Sequence, residues 1–509
     1  MVIGEIISRN ARRYPDKVAL IFGNNKRTFK ELNDRANSLL NGLLDMRVGK
    51  GDRVAILADN CLEYSEVYCA IAKGGVVIVP VNCRLNPPEL LHIINNSEAN
   101  TLILGQNYLE MVKSLRSQLH TVKNFIIIGD KSDGMKSYQG LVSHYPPNEP
   151  KTKVNEDDLF SLVHTSGTTG LPKGVMATHK NWLANLVNMV IEFRITHDDV
   201  ALLATPFFFA SGVDMLVQFY IGSTCVILQD FEPKIALETI EKEQVTITLM
   251  VPAMIASLLE YPGTEKYNLS SIRLILYGGA SLPLEILKGG HKILGNVFAP
   301  IYGQMEAFRP LALPTEDLAS QTPEERMKRL SSCGRELINI ETRVIDENGK
   351  DVAPGEVGEI VVKGDIVMKG YWKQPKATAE AIHDGYYYTG DLATVDEKGY
   401  VYTVDRKKDV IVSGGNKIYS KEVEEIIYTC PSVAEAAVIG VPDQELGESV
   451  KAVVALKEGT KTTKEEIIDL CRHNLEAYKV PRSVDLVNKL PRNPTGKILK
   501  DTLRAKYQG

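Results

Sequence analysis

Residues 165–174, TSGTTGLPKG, place Thr165, Ser166, Thr168 and Thr169 around Gly167 and Gly170 and close on Pro172, Lys173 and Gly174. Glycine lets a backbone approach a bulky anion closely and adopt dihedrals that other residues resist. Hydroxyls and exposed backbone N–H groups can then surround phosphate oxygens while a lysine offsets their charge. Leu162 and Val163 read as the end of a strand, so the loop leaves a rigid element. A P-loop is the nearest rival, but its spacing fails. Pro172 separates the last usable glycine from Lys173, and Gly174 follows where Ser or Thr should meet magnesium. A flexible Gly/Thr linker is the bland alternative, yet it requires neither the Pro-Lys-Gly close nor flanking apolar runs. The expectation is a loop that grips a nucleotide triphosphate.

Two further glycine turns offer complementary groups. Tyr277-Gly278-Gly279-Ala280 follows a strand-like run at 273–276, and Tyr302-Gly303-Gln304-Met305-Glu306 supplies an aromatic face, a close-approach glycine and a carboxylate. Ligands of open α/β sheets bind beyond the carboxyl ends of strands, so these turns can share a crevice. Asp391, in Tyr388-Thr389-Gly390-Asp391, can accept both hydroxyls of a ribose, and Lys497 closes a Pro/Gly-rich turn near the C-terminus. Singly, each reads rather as an ordinary turn or a solvated lysine.

The elements that must hold these groups alternate. Thr28 and Glu31 form a capping-box pattern ahead of Leu32, Ala36, Leu39, Leu40 and Leu43, a helical period. Strand-like runs at 54–57 and 76–81 flank a helix reaching Lys73. Helices between buried β-branched strands predict an α/β fold with a largely parallel sheet. Polar stretches at 131–153 and 315–328 read as surface loops or short helices. From about 337 to 404, glycine-punctuated strands (340–346, 358–363, 399–403) predict a small β-rich subdomain of a large N-terminal domain, 1–404. The charge cluster Asp405-Arg406-Lys407-Lys408-Asp409 reads as a linker, followed by a small α+β domain over 410–509 with a helix at 422–427, strands at 436–441 and 450–456, and a Thr463/Glu466 cap.

Composition narrows the class. At 509 residues the chain exceeds one core and divides into domains. With 59 basic and 64 acidic residues it has no basic surplus of the kind nucleic-acid binders show. Seven cysteines are dispersed with no C-x-x-C pair, which reads as reduced thiols in a cytoplasmic protein, and no Cys/His spacing supports zinc. No signal-peptide pattern opens the chain, and its apolar runs are too short for a transmembrane segment.

Together the motifs resemble the adenylate-forming, or AMP-binding, superfamily of acyl-CoA synthetases, luciferases and adenylation domains. TSGTTGLPKG, YG-x-x-E, YTGD, DRKKD followed by SGG, and NPTGK stand in that family's order across essentially the whole chain. Residues 413–424 and 496–500 look most like the acyl- and aryl-CoA ligase branch. The resemblance implies ATP, Mg2+ and CoA as small molecules and a two-step reaction. A carboxylate attacks the α-phosphate to give an acyl-adenylate and pyrophosphate; the CoA thiol then displaces AMP. Such catalysis is positioning and charge neutralisation.

It also implies roles. Thr165, Ser166, Gly167, Thr168, Thr169, Gly170 and Lys173 cradle the β- and γ-phosphates, with Thr165 and Glu306 near the metal. Gly279 and Ala280 line adenine and the acyl pocket, Tyr302 stacks on adenine beside Gly303, and Asp391 holds the ribose with Arg406 close by. Lys497 bridges carboxylate and α-phosphate, so Lys497, Glu306 and Thr165 form the catalytic set. Phe209, Ser211, Gly278, Ala280 and Gly303 line the acyl pocket. Lys408 is the hinge of a mobile C-terminal domain whose Ser413, Gly414 and Gly415 border the CoA tunnel. The resemblance leaves room for a homodimer.

Five positions depart from the family's pattern. Met305 stands where threonine is usual, Phe209 where histidine is common, Asn416-Lys417 replaces an acid-amide pair, and Ser420 stands where proline is frequent. Three functions are carried forward: a CoA ligase for a hydrophobic carboxylic acid (a fatty acid first, an aryl or alicyclic acid next), an adenylation enzyme loading a carrier protein, and a nucleotide-binding protein without turnover. Phe207, Phe208, Phe209, Met215 and Val217 underlie the apolar choice.

Overall fold

A computed structural model describes residues 1–165, 172–280, 282–318, 321–492 and 498–507. The chain forms two compact units. The first comprises Met1–Thr165, Leu171–Thr342 and Val362–Tyr387; the described part of the second lies in Arg343–Val361 and Tyr388–Gly509.

Two sheets build the first unit. One contains Val18–Phe22 (β1), Asn25–Thr28 (β2), Val200–Leu203 (β10), Thr224–Ile227 (β11), Ile247–Met250 (β12), Leu274–Tyr277 (β13), Phe298–Gln304 (β14), Phe308–Ala312 (β15) and Arg335–Glu336 (β16). Its order is β16-β15-β14-β13-β12-β10-β11-β1-β2, parallel from β14 through β1. The other contains Arg53–Leu57 (β3), Val77–Pro80 (β4), Thr101–Gly105 (β5), Asn124–Ile128 (β6), Lys136–Ser137 (β7), Leu159–Thr165 (β8), Lys173–Thr178 (β9) and Gly370–Tyr371 (β19), in the order β19-β9-β8-β4-β3-β5-β6-β7. Strands β3, β4 and β5 are parallel and buried on both faces, as their continuous apolar runs require.

Local chemistry sets the helices between them. Thr28 Oγ1 accepts from the Glu31 backbone N–H at 3.1 Å while Glu31 accepts from Thr28 N–H at 2.8 Å, starting Phe29–Asp45. The helix Leu62–Gly74 stops at Gly75, whose φ of +62° is left-handed. The largely parallel expectation holds in the sheet centres, while the edges are antiparallel: β1 with β2, β14 with β15, β15 with β16, and β19 with β9. Strands β8 and β9 are also antiparallel, joining Thr165 to Lys173 in register.

The three glycine-punctuated strands expected here are present as Ile340–Ile345 (β17), Gly358–Gly364 (β18) and Val401–Arg406 (β22), and two that the sequence reading did not name, Ile382–His383 (β20) and Tyr386–Val395 (β21), stand with them. In the second unit, Ile411–Ser413 (β23), Asn416–Ile418 (β24), Val433–Asp443 (β25), Gly447–Leu456 (β26) and Ser483–Val487 (β27) form the order β24-β23-β26-β25, with β27 beside β26. Val423, Ile427, Val438, Val454 and Ile467 are its core, and the predicted Thr463/Glu466 cap starts Lys464–Asn474. The cluster at 405–409 is not a loosely solvated run. Asp405 and Arg406 finish β22, and each charge has a partner: Asp405 with Ser420, Arg406 with Asp391, Lys407 with Glu359, Lys408 with Asp501, Asp409 with Arg504.

No disulfide joins the seven cysteines. Among the described residues no helix is long and apolar enough to cross a membrane.

Candidate active site

The loop ends are described; Ser166, Gly167, Thr168, Thr169 and Gly170 lie outside the described residues. Thr165 and Lys173 are half-buried register partners, so the loop springs from an antiparallel hairpin, unlike the strand-to-helix P-loop. A Cβ on Gly174 would crowd the Leu162 side chain at 2.9 Å and Trp372 Cβ at 3.3 Å, so glycine gives the close packing beside β9 the most room. Trp372 N–H donates to the Gly174 carbonyl at 2.8 Å, and Lys369 N–H to that of Met176 at 2.9 Å.

This short edge strand carries a residue that sequence reasoning missed. Tyr371 sets its ring 5.0 Å from Lys173 Nζ and donates its hydroxyl to Glu306 Oε1 at 3.1 Å. Burial first, and then the charge of Glu306, push the Tyr371 hydroxyl well above its ordinary pKa, so it stays a donor. Next to it, Met368 N–H donates to the Glu306 carbonyl at 2.7 Å. Thr165, Lys173 and Glu306, drawn from two sheets, are thereby brought together. The contact spans 65 residues between Tyr371 and Glu306 and has no local pattern. The only available signal was the aromatic pair Tyr371-Trp372 following Gly370.

Glu306 is 8% exposed and sits in the turn between β14 and β15. That turn is tight. A Cβ on Gly303 would lie 1.8 Å from the Phe308 carbonyl oxygen, and Phe308 itself takes a left-handed φ of +46°. Tyr302 pairs with Leu311 and Gln304 with Phe308, an irregular register that leaves Tyr302 and Met305 half-buried. Gln304 accepts from the Tyr387 hydroxyl at 2.7 Å.

Gly278 packs against the same hairpin. A Cβ there would stand 2.5 Å from the Ile301 carbonyl oxygen, which explains the residue as close approach between β13 and β14. Gly279 needs its freedom instead for φ +82°, and Ala280 is exposed beside it. The Phe207–Ser211 segment forms a wide π-helical turn, in which Phe209 leaves helical dihedrals and is the most exposed residue at 37%. Asn60 holds this turn, accepting from Phe207 N–H and donating to the Thr205 carbonyl. Ser211 is buried, its hydroxyl bonded to Thr205 at 2.8 Å.

In the second unit Asp391 and Arg406 are cross-strand partners with 3.3 Å between Oδ1 and Nε. Gly414 and Gly415 form the two-residue turn between β23 and β24 with φ of +56° and +82°, and Ser413 is buried at its start. Two positive dihedrals are what such hairpins demand. Lys408 pairs with Asp501 at 2.7 Å in the Lys500–Tyr507 helix. Lys417 is exposed and pairs with Glu347 at 2.9 Å. Ser420, where proline was the family's habit, is fully buried, donating to Asp405 and accepting from Lys500. Lys497 lies outside the described residues.

The donors fit Mg2+. Thr165 and Glu306 offer hard oxygens, and among the described residues no group of three or more His, Cys, Asp or Glu side chains could hold a metal. One or two protein oxygens with substrate phosphates completing the shell is the usual habit of that ion.

The AMP-binding enzyme family model matches residues 7–372, and the AMP-binding enzyme C-terminal domain matches 422–497. The chain belongs to the AMP-binding enzyme family. This bears out the adenylate-forming resemblance, its acyl-CoA ligase branch, and the reading of ATP, Mg2+ and CoA as its small molecules. A feruloyl-CoA synthase of Amycolatopsis sp is 38% identical over 502 residues, 98% of each chain. A long-chain-fatty-acid–CoA ligase of Mycobacterium tuberculosis is 32% identical over 489 residues, 94% of this chain and 93% of the other. The structure of an anthranilate CoA ligase in complex with anthranoyl-AMP superposes with a TM-score of 0.90 at 27% identity, covering 100% of this AMP-binding enzyme and 97% of that chain.

Proposed function

We propose that this AMP-binding enzyme is an ATP-dependent acid–CoA ligase for a hydrophobic carboxylic acid, a fatty acid first and an aryl or alicyclic acid next. The observation that supports it most is Tyr371, which joins the loop-end Lys173 to Glu306. Relatives named for feruloyl-CoA and for long-chain fatty acids bracket the substrate class.

In this reading Thr165 and Lys173 hold the β- and γ-phosphate oxygens, and the residues of 166–170 complete the cradle. Thr165 and Glu306 face the metal, which when bound neutralises phosphate charge. Tyr371 fixes the Glu306 carboxylate and keeps the Lys173 ammonium over its ring. Tyr302 and Gly279 take adenine; Asp391 with Arg406 takes the ribose. Lys497 offsets charge as the acid's carboxylate meets the α-phosphate, and Lys408 turns the C-terminal domain so that Ser413, Gly414 and Gly415 admit CoA.

Pyrophosphate release from ATP and an acid, with and without CoA, tests this. Release together with a CoA thioester is expected. No release with any acid would remove both enzyme readings; an adenylate that never reaches CoA would favour carrier loading. Lys497→Ala should lower pyrophosphate release about 10²–10³-fold while sparing thioester formation from supplied acyl-adenylate. Equal loss of both steps would sink its assignment.

A further inference from the structure

The helix Gly212–Ile221 reads GVDMLVQFYI, with Asp214 and Gln218 one turn apart in an otherwise apolar run. Both are buried, at 8% and 3% exposure. Strand β15, FRPLA, carries Arg309 in the same incongruous way, 8% exposed. Arg309 Nη2 donates to Asp214 Oδ1 at 2.6 Å. Arg309 Nη1 and Gln218 Oε1, however, are buried without a hydrogen-bond partner among the described residues. Leaving such groups unsatisfied is costly, so an arrangement of this kind calls for a ligand atom or a water.

Asp214, Gln218 and Arg309 line one cavity of about 10 Å³, together with Thr248 and Leu276. Thr248 already donates to the Leu202 carbonyl. Asn185, whose amide is likewise unpaired, lies one turn before Met189, another wall residue. A space of this size accommodates a single oxygen. Its walls are the elements that carry the proposed acyl pocket. The helix starts directly after Ser211, β13 ends beside Gly278, and Arg309 follows Glu306 by three residues.

We infer that Arg309, held by Asp214 and joined by Gln218, selects acids bearing one oxygen, a hydroxyl or a keto group, at the end remote from the reacting carboxylate. The inference rests on the acid–CoA ligase reading. Either oxygen accepts from Nη1, and a hydroxyl can also donate to Gln218 Oε1. A second carboxylate is disfavoured twice, because the Arg309–Asp214 pair is already neutral and the cavity holds one oxygen rather than two.

The test uses pairs of acids that differ only in that oxygen, ω-hydroxy against plain alkanoic acids and para-hydroxyphenyl against phenyl acids. Turnover is read as kcat/KM for pyrophosphate and thioester, and binding as calorimetric Kd without ATP. The expected preference for the oxygenated member is about 10- to 100-fold, the range of a hydrogen bond to a charged group. In Arg309→Met it should fall below about threefold. The paired Asp214→Asn, Arg309→Gln variant, which exchanges the ion pair for neutral amides, gives the same reading if Arg309→Met fails to fold. Parity in the unmodified protein, or an undiminished preference in the variants, would overturn the inference. A binding preference without any pyrophosphate would sink the ligase reading alone.

Discussion

Two hairpins, one in each unit, carry glycine at their turns under different constraints. At Gly303 there is no room: the space a Cβ would occupy holds the Phe308 carbonyl, 1.8 Å away. At Gly415 there is room, with nothing within 4 Å, and the constraint is a φ of +82°. Gly414 lies between, with φ +56° and only a leucine methyl of Leu446 at 3.2 Å. The first turn is braced by β13, by the Trp182 ring on Phe308 and by Met368 on Glu306. The second is shaped by its own dihedrals. The Glu306 turn is set by packing, whereas the Gly414-Gly415 turn is set by its torsions.

The largest effect should therefore come from Gly303→Ala. Displacing backbone by this much should cost about 3 kcal/mol or more and abolish pyrophosphate release; a chemical denaturation curve close to that of the unmodified protein would break the contrast. Tyr371→Phe keeps the ring over Lys173 and removes the bond to Glu306. It should lower kcat about tenfold, as loss of a hydrogen bond to a charged group does, with little change in melting temperature. A loss confined to melting temperature would make Tyr371 a packing residue only.

His179 gives the first unit a pH dependence. It is fully buried at the start of the helix His179–Glu192 in the first unit, its Nδ1 accepting from Ile3 N–H at 3.3 Å. Burial lowers its pKa to about 4, against a modest opposing pull from Asp158. The folded state thus binds the proton less well than the unfolded one. The share of stability that His179 contributes should be full above about pH 6.5 and fall toward about pH 4, by up to about 1.4 kcal/mol per pH unit, and the buried His164, lowered to about 3, adds to the same slope. His179→Asn, which keeps an acceptor for Ile3, should reduce that slope; an unchanged slope would exclude His179 as a source.

The smallest effect should be Gly415→Ala, about 1–2 kcal/mol for a left-handed alanine. Thioester formation should follow that stability loss if the glycine serves the turn alone. A far larger fall in the CoA step, with adenylation intact, would sharpen the tunnel assignment.

Much of this was legible because it is local. The Thr28/Glu31 and Thr463/Glu466 caps involve residues three apart, and the buried strands announce themselves as apolar runs. The glycine turns were visible for the same reason, although their causes differed: contact at Gly278 and Gly303, torsion at Gly279 and Gly415. Tyr371 was not legible, since its partners Lys173 and Glu306 lie on other strands and only tertiary pairing unites them. Asp214 and Arg309 were half-legible. A charge inside GVDMLVQFYI or FRPLA signals a buried partner, but nothing in either run names the other.

The edge strand that carries Tyr371 also has an optical consequence. The chain has two tryptophans. Trp182 is buried against Phe308, and Trp372 follows Tyr371, its indole N–H bonded to the Asn96 carbonyl. Both chromophores therefore stand in the first unit, each one residue or one ring away from the Glu306 turn, while the second unit contributes none. If nucleotide binds at that turn as proposed, selective tryptophan emission is an intrinsic, label-free gauge of its arrival, with no background from the C-terminal domain.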